Sequence, residues 1–229
     1  MLNFNPETDL WEYLKSAGLP IVLYGMGDGA EKILKVCGEY NINISGVFAT
    51  EVKRERYFHQ WRVLPIESLE KSLGEKLIIL IAFGTSDPEI IEFIAVLKQK
   101  HEVYSPDVPV TGGGLFNRSF VKENLKKIKE VYNLWEDDFS RFTYENIIKA
   151  KLTGKTEYLD NHIVTRKEMF RLFPWGQNEV FVDAGAYRGD TIEEFISMTG
   201  GEYSQIFALE PDGKNYEKLR RNLMGKRNI

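Results

Sequence analysis

What this chain has least of narrows it first. It carries one cysteine, Cys37, so no internal disulfide can staple it, and a reducing, cytoplasmic setting is expected. Cys37 lies in the apolar run Ile33-Leu34-Lys35-Val36-Cys37, where a thiol serves as a small buried hydrophobe. The histidines His59, His101 and His162 are scattered, with no partner at metal-ligand spacing, so no metal site is expected. The most apolar stretch, 77–83, is far too short to cross a bilayer and suits a buried parallel strand. No secretory leader is expected either, because Met1-Leu2-Asn3-Phe4 offers no basic start and no apolar core.

Two chemistries are missing as well. There is no G-x-S-x-G nucleophile elbow. No tyrosine is followed four residues later by lysine, and Tyr216, the nearest in context, meets Arg220 instead. A net charge of −4 argues against a nucleic-acid binder working through a basic surface. The basic tail Arg220-Arg221 to Lys226-Arg227 reads as the exposed face and end of a helix, where cations suit the dipole.

What is present is an apolar fraction of 43%, enough to build a real core. Residues 20–110 alternate strand and helix: strands over 21–24, 45–49, 77–83 and 102–105, helices over 30–40 and 89–100. Asn5-Pro6-Glu7-Thr8-Asp9 reads as a helix start, with the helix running to Ala17. Thr111-Gly112-Gly113-Gly114 is the best linker, since three glycines resist a fixed conformation. An amphipathic helix is predicted over 122–131 and a second over 136–151; 155–178 is aromatic-rich and irregular. The division is therefore 1–110, 111–178 and 179–229.

Two strand–glycine–helix turns carry the chemistry. The first, Ile21-Val22-Leu23-Tyr24-Gly25-Met26-Gly27-Asp28-Gly29-Ala30, approaches a dinucleotide fingerprint with Gly25, Gly27 and Ala30. A nicotinamide site also needs an acid at the end of the next strand. That place falls near Phe48-Ala49-Thr50, unless Glu51 reaches back. This turn is open to two readings, a nucleotide or nucleotide-sugar site and a purely structural bend.

The second turn is VFVDAGAYRGDT (180–191), followed by the strand Ile206-Phe207-Ala208-Leu209 ending on Glu210-Pro211-Asp212. A strand–glycine–helix–strand–acid unit is how open α/β sheets hold adenosine ligands. The spacing is Gly185-x-x-x-Gly189, with Asp183 before the turn and Asp190 at the helix start. Carboxylates there repel a pyrophosphate but can hold a cation. S-adenosylmethionine (SAM) carries an ammonium and a sulfonium and no phosphate. Asp183 would face its ammonium, Gly185 would permit close approach, and Glu210 would accept from the ribose hydroxyls. Asp190 reads as the N-cap of a helix over 191–198. A structural βα turn with no ligand is the alternative.

VFVDAGAYRGDTIEEF and IFALEPDGKNYEKLRRNL resemble the first half of the catalytic domain of the FkbM-type SAM-dependent methyltransferases, and LWEDDFSRFTYENIIKAKLTGKTEYL (134–159) is similar to the helices preceding that domain. The resemblance implies an α/β chain: two Rossmann-like parallel-sheet units joined by a helical connector, the second an incomplete class I methyltransferase domain. It implies cofactor contacts at Asp183, Gly185, Ala186, Gly189 and Glu210, and methylation of a hydroxyl on a saccharide or secondary metabolite. No residue is nominated as the base. The family's later strands have no counterpart here, so the edge of the strand over 180–182 is expected to be covered by the N-terminal portion, to pair with a second copy, or to be completed in a longer natural protein. The alternative function is a non-catalytic nucleotide or nucleotide-sugar binding module. No nucleic-acid or membrane partner is expected.

Overall fold

The structure is a computed structural model that describes residues 9–52, 54–110, 112, 114–162 and 165–229. The helix start expected at Asn5 lies outside the described residues, as do Thr111 and Gly113 of the expected linker. The chain divides into two compact units, residues 1–162 and 163–229.

In the first unit, β1 (Ile21–Tyr24) and β5 (Ile78–Ile81) are buried at every residue. Strands apolar on both faces must be covered on both faces, and here they are. The sheet order is β3-β4-β2-β1-β5-β6, with β2 at Ile44–Phe48, β3 at Tyr57–Phe58, β4 at Trp61–Leu64 and β6 at Glu102–Tyr104. All pairings are parallel except that of β3 with β4. Alternate residues of β1 point to opposite layers. Leu23 packs with α1 (Leu10–Ser16) and α2 (Asp28–Tyr40), through Trp11, Leu14 and Ile33. Val22 and Tyr24 pack with α3 (Ile66–Leu73) and α4 (Pro88–Lys100), through Leu69 and Leu97. Cys37 is buried in the first layer, and burial pushes its thiol up to about 12.

The helical segment differs from its expected form. One helix was expected over 122–131; the structure has two, α5 (Arg118–Glu123) and α6 (Leu125–Leu134), parted at Asn124. The Asn124 side-chain amide donates to the Phe120 carbonyl, a local bond that competes with helix propagation. α7 follows at Asp138–Thr153, capped by Asp137 and ended by the left-handed Gly154. Asp9 joins this segment to α1: one oxygen caps the helix at Glu12 N–H and the other accepts from Arg118 N–H.

One buried polar knot fastens the helices to the sheet. The His101 ring, at the end of α4, accepts the Leu77 N–H on Nδ1 at 3.2 Å and donates from Nε2 to Glu70 at 2.8 Å. Burial alone would raise Glu70, but the hydrogen bonds of Lys100 and His101, with the charge of Lys100, outweigh it and hold the carboxyl below its usual range. A lowered folded value means that this stability is present above the unfolded glutamate range and is lost as pH falls through the folded value. His101→Ala leaves the Leu77 N–H unpaired in the core, for a cost of about 2–3 kcal/mol. Thermal melts between acid and neutral pH should show a lower melting temperature and a flatter acid limb in the variant.

The second unit contains α8 (Arg166–Phe170), β7 (Val180–Ala184), α9 (Asp190–Met198), β8 (Gln205–Leu209) and α10 (Gly213–Asn222). β7 and β8 form a parallel two-stranded sheet of their own, in register from Val180↔Gln205 to Ala184↔Leu209. One face of it packs Phe181, Ile206 and Ala208 against Phe195 and Leu219 of the helices. The other face leaves Val180, Val182, Phe207 and Leu209 each more than half exposed.

Candidate functional site

The site is built where β7 and β8 end. The chain leaves β7 through Gly185 at φ +100, where the N–H groups of Gly185 and Ala186 both donate to the Leu209 carbonyl, at 2.7 and 2.9 Å. Tyr187 then takes a left-handed conformation (φ +47), and Gly189 another (φ +92). Tyr187 is not a glycine, so its conformation needs external support. Glu210 supplies it: Oε2 accepts the Tyr187 N–H at 2.7 Å, while Oε1 accepts the Asp212 N–H at 2.9 Å. Asn222 of α10 completes the hold by donating to the Arg188 carbonyl at 2.9 Å.

Each predicted residue therefore has a definite place. Gly185 has nothing within 4 Å of where a side chain would begin, so its backbone is open to a ligand. Gly189 is the opposite case, because a Cβ there would meet Leu219 at 3.0 Å and Leu223 at 3.3 Å. Ala186 is buried in the same cluster. Those two serve packing in this structure. Asp190 is not the N-cap: Gly189 holds that position and Asp190 is the first residue of α9, because the positive φ of Gly189 turns the chain one residue earlier. An acid in the first turn still suits the dipole.

Asp183 is the anomaly. Its Oδ2 is buried without a hydrogen-bond partner. Burial, and then the nearby charge of Asp190, push its carboxyl above the usual range. An orphaned buried carboxylate oxygen is rare in folded chains and calls for a donor. Glu210, by contrast, keeps capacity: each oxygen has two acceptor sites and one is used. An ammonium beside Asp183, hydroxyls on Glu210 and close approach over Gly185 would use what this arrangement leaves open.

Motif reading missed Tyr187 and Asn222. Neither residue type signals its role, since both act through backbone groups that the fold brings together.

The first turn is built differently. A Cβ on Gly25 (φ +107) would meet the Phe83 ring at 2.8 Å, so the space above it is filled. On Gly29 it would strike the Ala82 carbonyl oxygen at 2.1 Å. Ala30 is fully buried. Gly27 is open and starts α2 with no side-chain cap, while Asp28 pairs with Lys32. At the end of β2 the Thr50 hydroxyl bonds the Tyr24 hydroxyl. Among the described residues no cluster of histidine, cysteine and carboxylate could hold a metal ion, and no helix is long and apolar enough to cross a membrane.

Among solved structures, the chain is similar to the methyltransferase FkbM from Methylobacillus flagellatus KT, with a TM-score of 0.64 and 15% identity. The match covers 97% of this chain, which spans 65% of the length of that one. No family model and no curated protein matches the sequence. The fold is thus mixed α/β and methyltransferase-like, in agreement with the resemblance carried by the second turn.

Proposed function

We propose that the second unit is the cofactor-binding half of a SAM-dependent methyltransferase acting on a hydroxyl of a saccharide or secondary metabolite, in a cytoplasmic setting. The observation that carries this reading is the unpartnered Asp183 oxygen beside the open backbone of Gly185, with Glu210 across the turn. SAM, when bound, supplies an already activated methyl group. The residues of this chain would hold it: Asp183 by its ammonium, Glu210 by the ribose hydroxyls, Gly185 by allowing contact with bare backbone. Holding and aligning is the larger part of such catalysis, because the transfer needs mainly an in-line approach.

Calorimetric titration tests the assignment. Saturable heat is expected with SAM and none with NAD or a nucleotide-sugar. The second reading, a nucleotide site at Gly25, Gly27 and Ala30, draws on the uncapped start of α2 at Gly27. Heat from the nucleotide-sugar alone, lost on changing Gly27, would replace the first assignment with this one.

The proposal extends to assembly. The outer edge of β7 pairs with no strand among the described residues, and its neighbouring face is apolar. Such an edge recruits another strand, here from a second copy. Size-exclusion with light scattering should show dimers growing with concentration, and Val182→Lys should return the protein to a monomer. A wild-type chain that stays monomeric at all concentrations rules the pairing out.

A further inference from the structure

The first unit holds a cleft outside the carboxyl ends of β5 and β6 that none of the chemistry above uses. Its volume is about 510 Å³, within the range of small-molecule sites. Phe83 forms one wall. Its ring stands edge-on to Tyr24 at 4.8 Å and covers Gly25, which separates the cleft from the first glycine turn.

α4 forms the other wall with Ile91, Ile94, Ala95 and Lys98, a spacing that puts all four on one helical face. Three of these are apolar, yet Ile91 is 51% exposed, an unusual place for isoleucine on a helix that has a buried side available. The rim is charged. Lys98 donates to the Thr156 hydroxyl at 2.6 Å and lies 3.8 Å from Glu157, so those two charges offset each other. Asp160 also lines the cleft, and it has no ion pair among the described residues. The cleft therefore presents an apolar body with one net negative charge at its mouth.

We propose that this cleft binds a small organic amine, with an aliphatic or aryl body against Phe83, Ile91 and Ala95 and a protonated nitrogen at Asp160. A carboxylate or phosphate would meet repulsion there, and a neutral molecule of the same shape would gain only the apolar contact.

The test is an NMR titration of the full chain at neutral pH with 2-phenylethylamine, cyclohexylamine and tetramethylammonium, beside 2-phenylethanol and 3-phenylpropanoate. At least one amine should give saturable shifts confined to residues 81–98, Ser105 and 156–160, at least tenfold tighter than the alcohol, with no binding of the carboxylate. Asp160→Asn should weaken that amine about tenfold. Ala95→Trp, at an exposed position, should abolish binding while circular dichroism melts stay unchanged. Equal binding of amine and alcohol, preference for the carboxylate, insensitivity to Asp160→Asn, or no saturable shift from any amine would each overturn the proposal. None of these readouts involves SAM or the second glycine turn.

Discussion

Asp183→Asn is expected to separate stability from ligand binding, raising the first and lowering the second. Without ligand, the Asp183 carboxylate is held partly out of water beside Asp190, and one of its oxygens accepts nothing. Its folded value lies above its unfolded one. By linkage, the stability associated with Asp183 is full below the unfolded aspartate range and is lost as pH rises through the folded value. The amide escapes that loss, so the advantage of the variant in thermal melts should grow from acid to neutral pH. Binding goes the other way. A charge-assisted hydrogen bond is worth about 1.5–3 kcal/mol, so SAM affinity should fall roughly ten- to a hundredfold or more. Unchanged affinity would remove Asp183 from the site. A variant less stable than wild type at every pH would mean that its second oxygen has a partner after all. Glu210 is a poorer probe, because its removal also releases the Tyr187 and Asp212 N–H groups that shape the turn.

Gly29→Ala should cause the largest loss of stability in the first unit. The added methyl would lie 2.1 Å from a backbone oxygen of the strand end after β5, so neither a rotamer change nor a flexible tip can relieve it. α2 would have to lift from the sheet. Overpacking of this kind costs about 3 kcal/mol. For a unit of this size that corresponds to a drop of roughly 6–12 °C in melting temperature. Gly27→Ser is the contrast: the position is open, extended and without a side-chain cap, so a hydroxyl there should stabilise the helix start by about 0.3 kcal/mol. A reversed order of the two melting temperatures would show that the first turn is not held by close helix–strand packing.

Much of the fold was legible residue by residue. The all-apolar runs of β1 and β5 announce strands covered on both faces, and the structure places them side by side in the sheet interior. Less legible were β3, β4 and α3. β3 and β4 are short pieces on the outer side of the sheet, paired as Tyr57↔Arg62 and Phe58↔Trp61, and two- to four-residue strands leave too few alternations to register as a pattern. α3 begins after Pro65 with no side-chain cap, so its start carries little signal. The break at Asn124 escaped because the apolar spacing of Val121, Leu125 and Ile128 runs across it, while a single local hydrogen bond decides it.

The candidate site shows the same division. The chain's own residues are enough to place a glycine turn between two apolar strands and an acid at the end of the second, because positive φ and strand apolarity are local demands. Which glycine stays bare and which is filled was settled only in three dimensions, by where Phe83, Leu219 and Leu223 come to rest. So was the standing of the two carboxylates: Glu210 meets backbone N–H groups and Asp183 meets none. Hydrogen-bond satisfaction depends on neighbours distant in sequence, and no spacing of residue types along the chain encodes it.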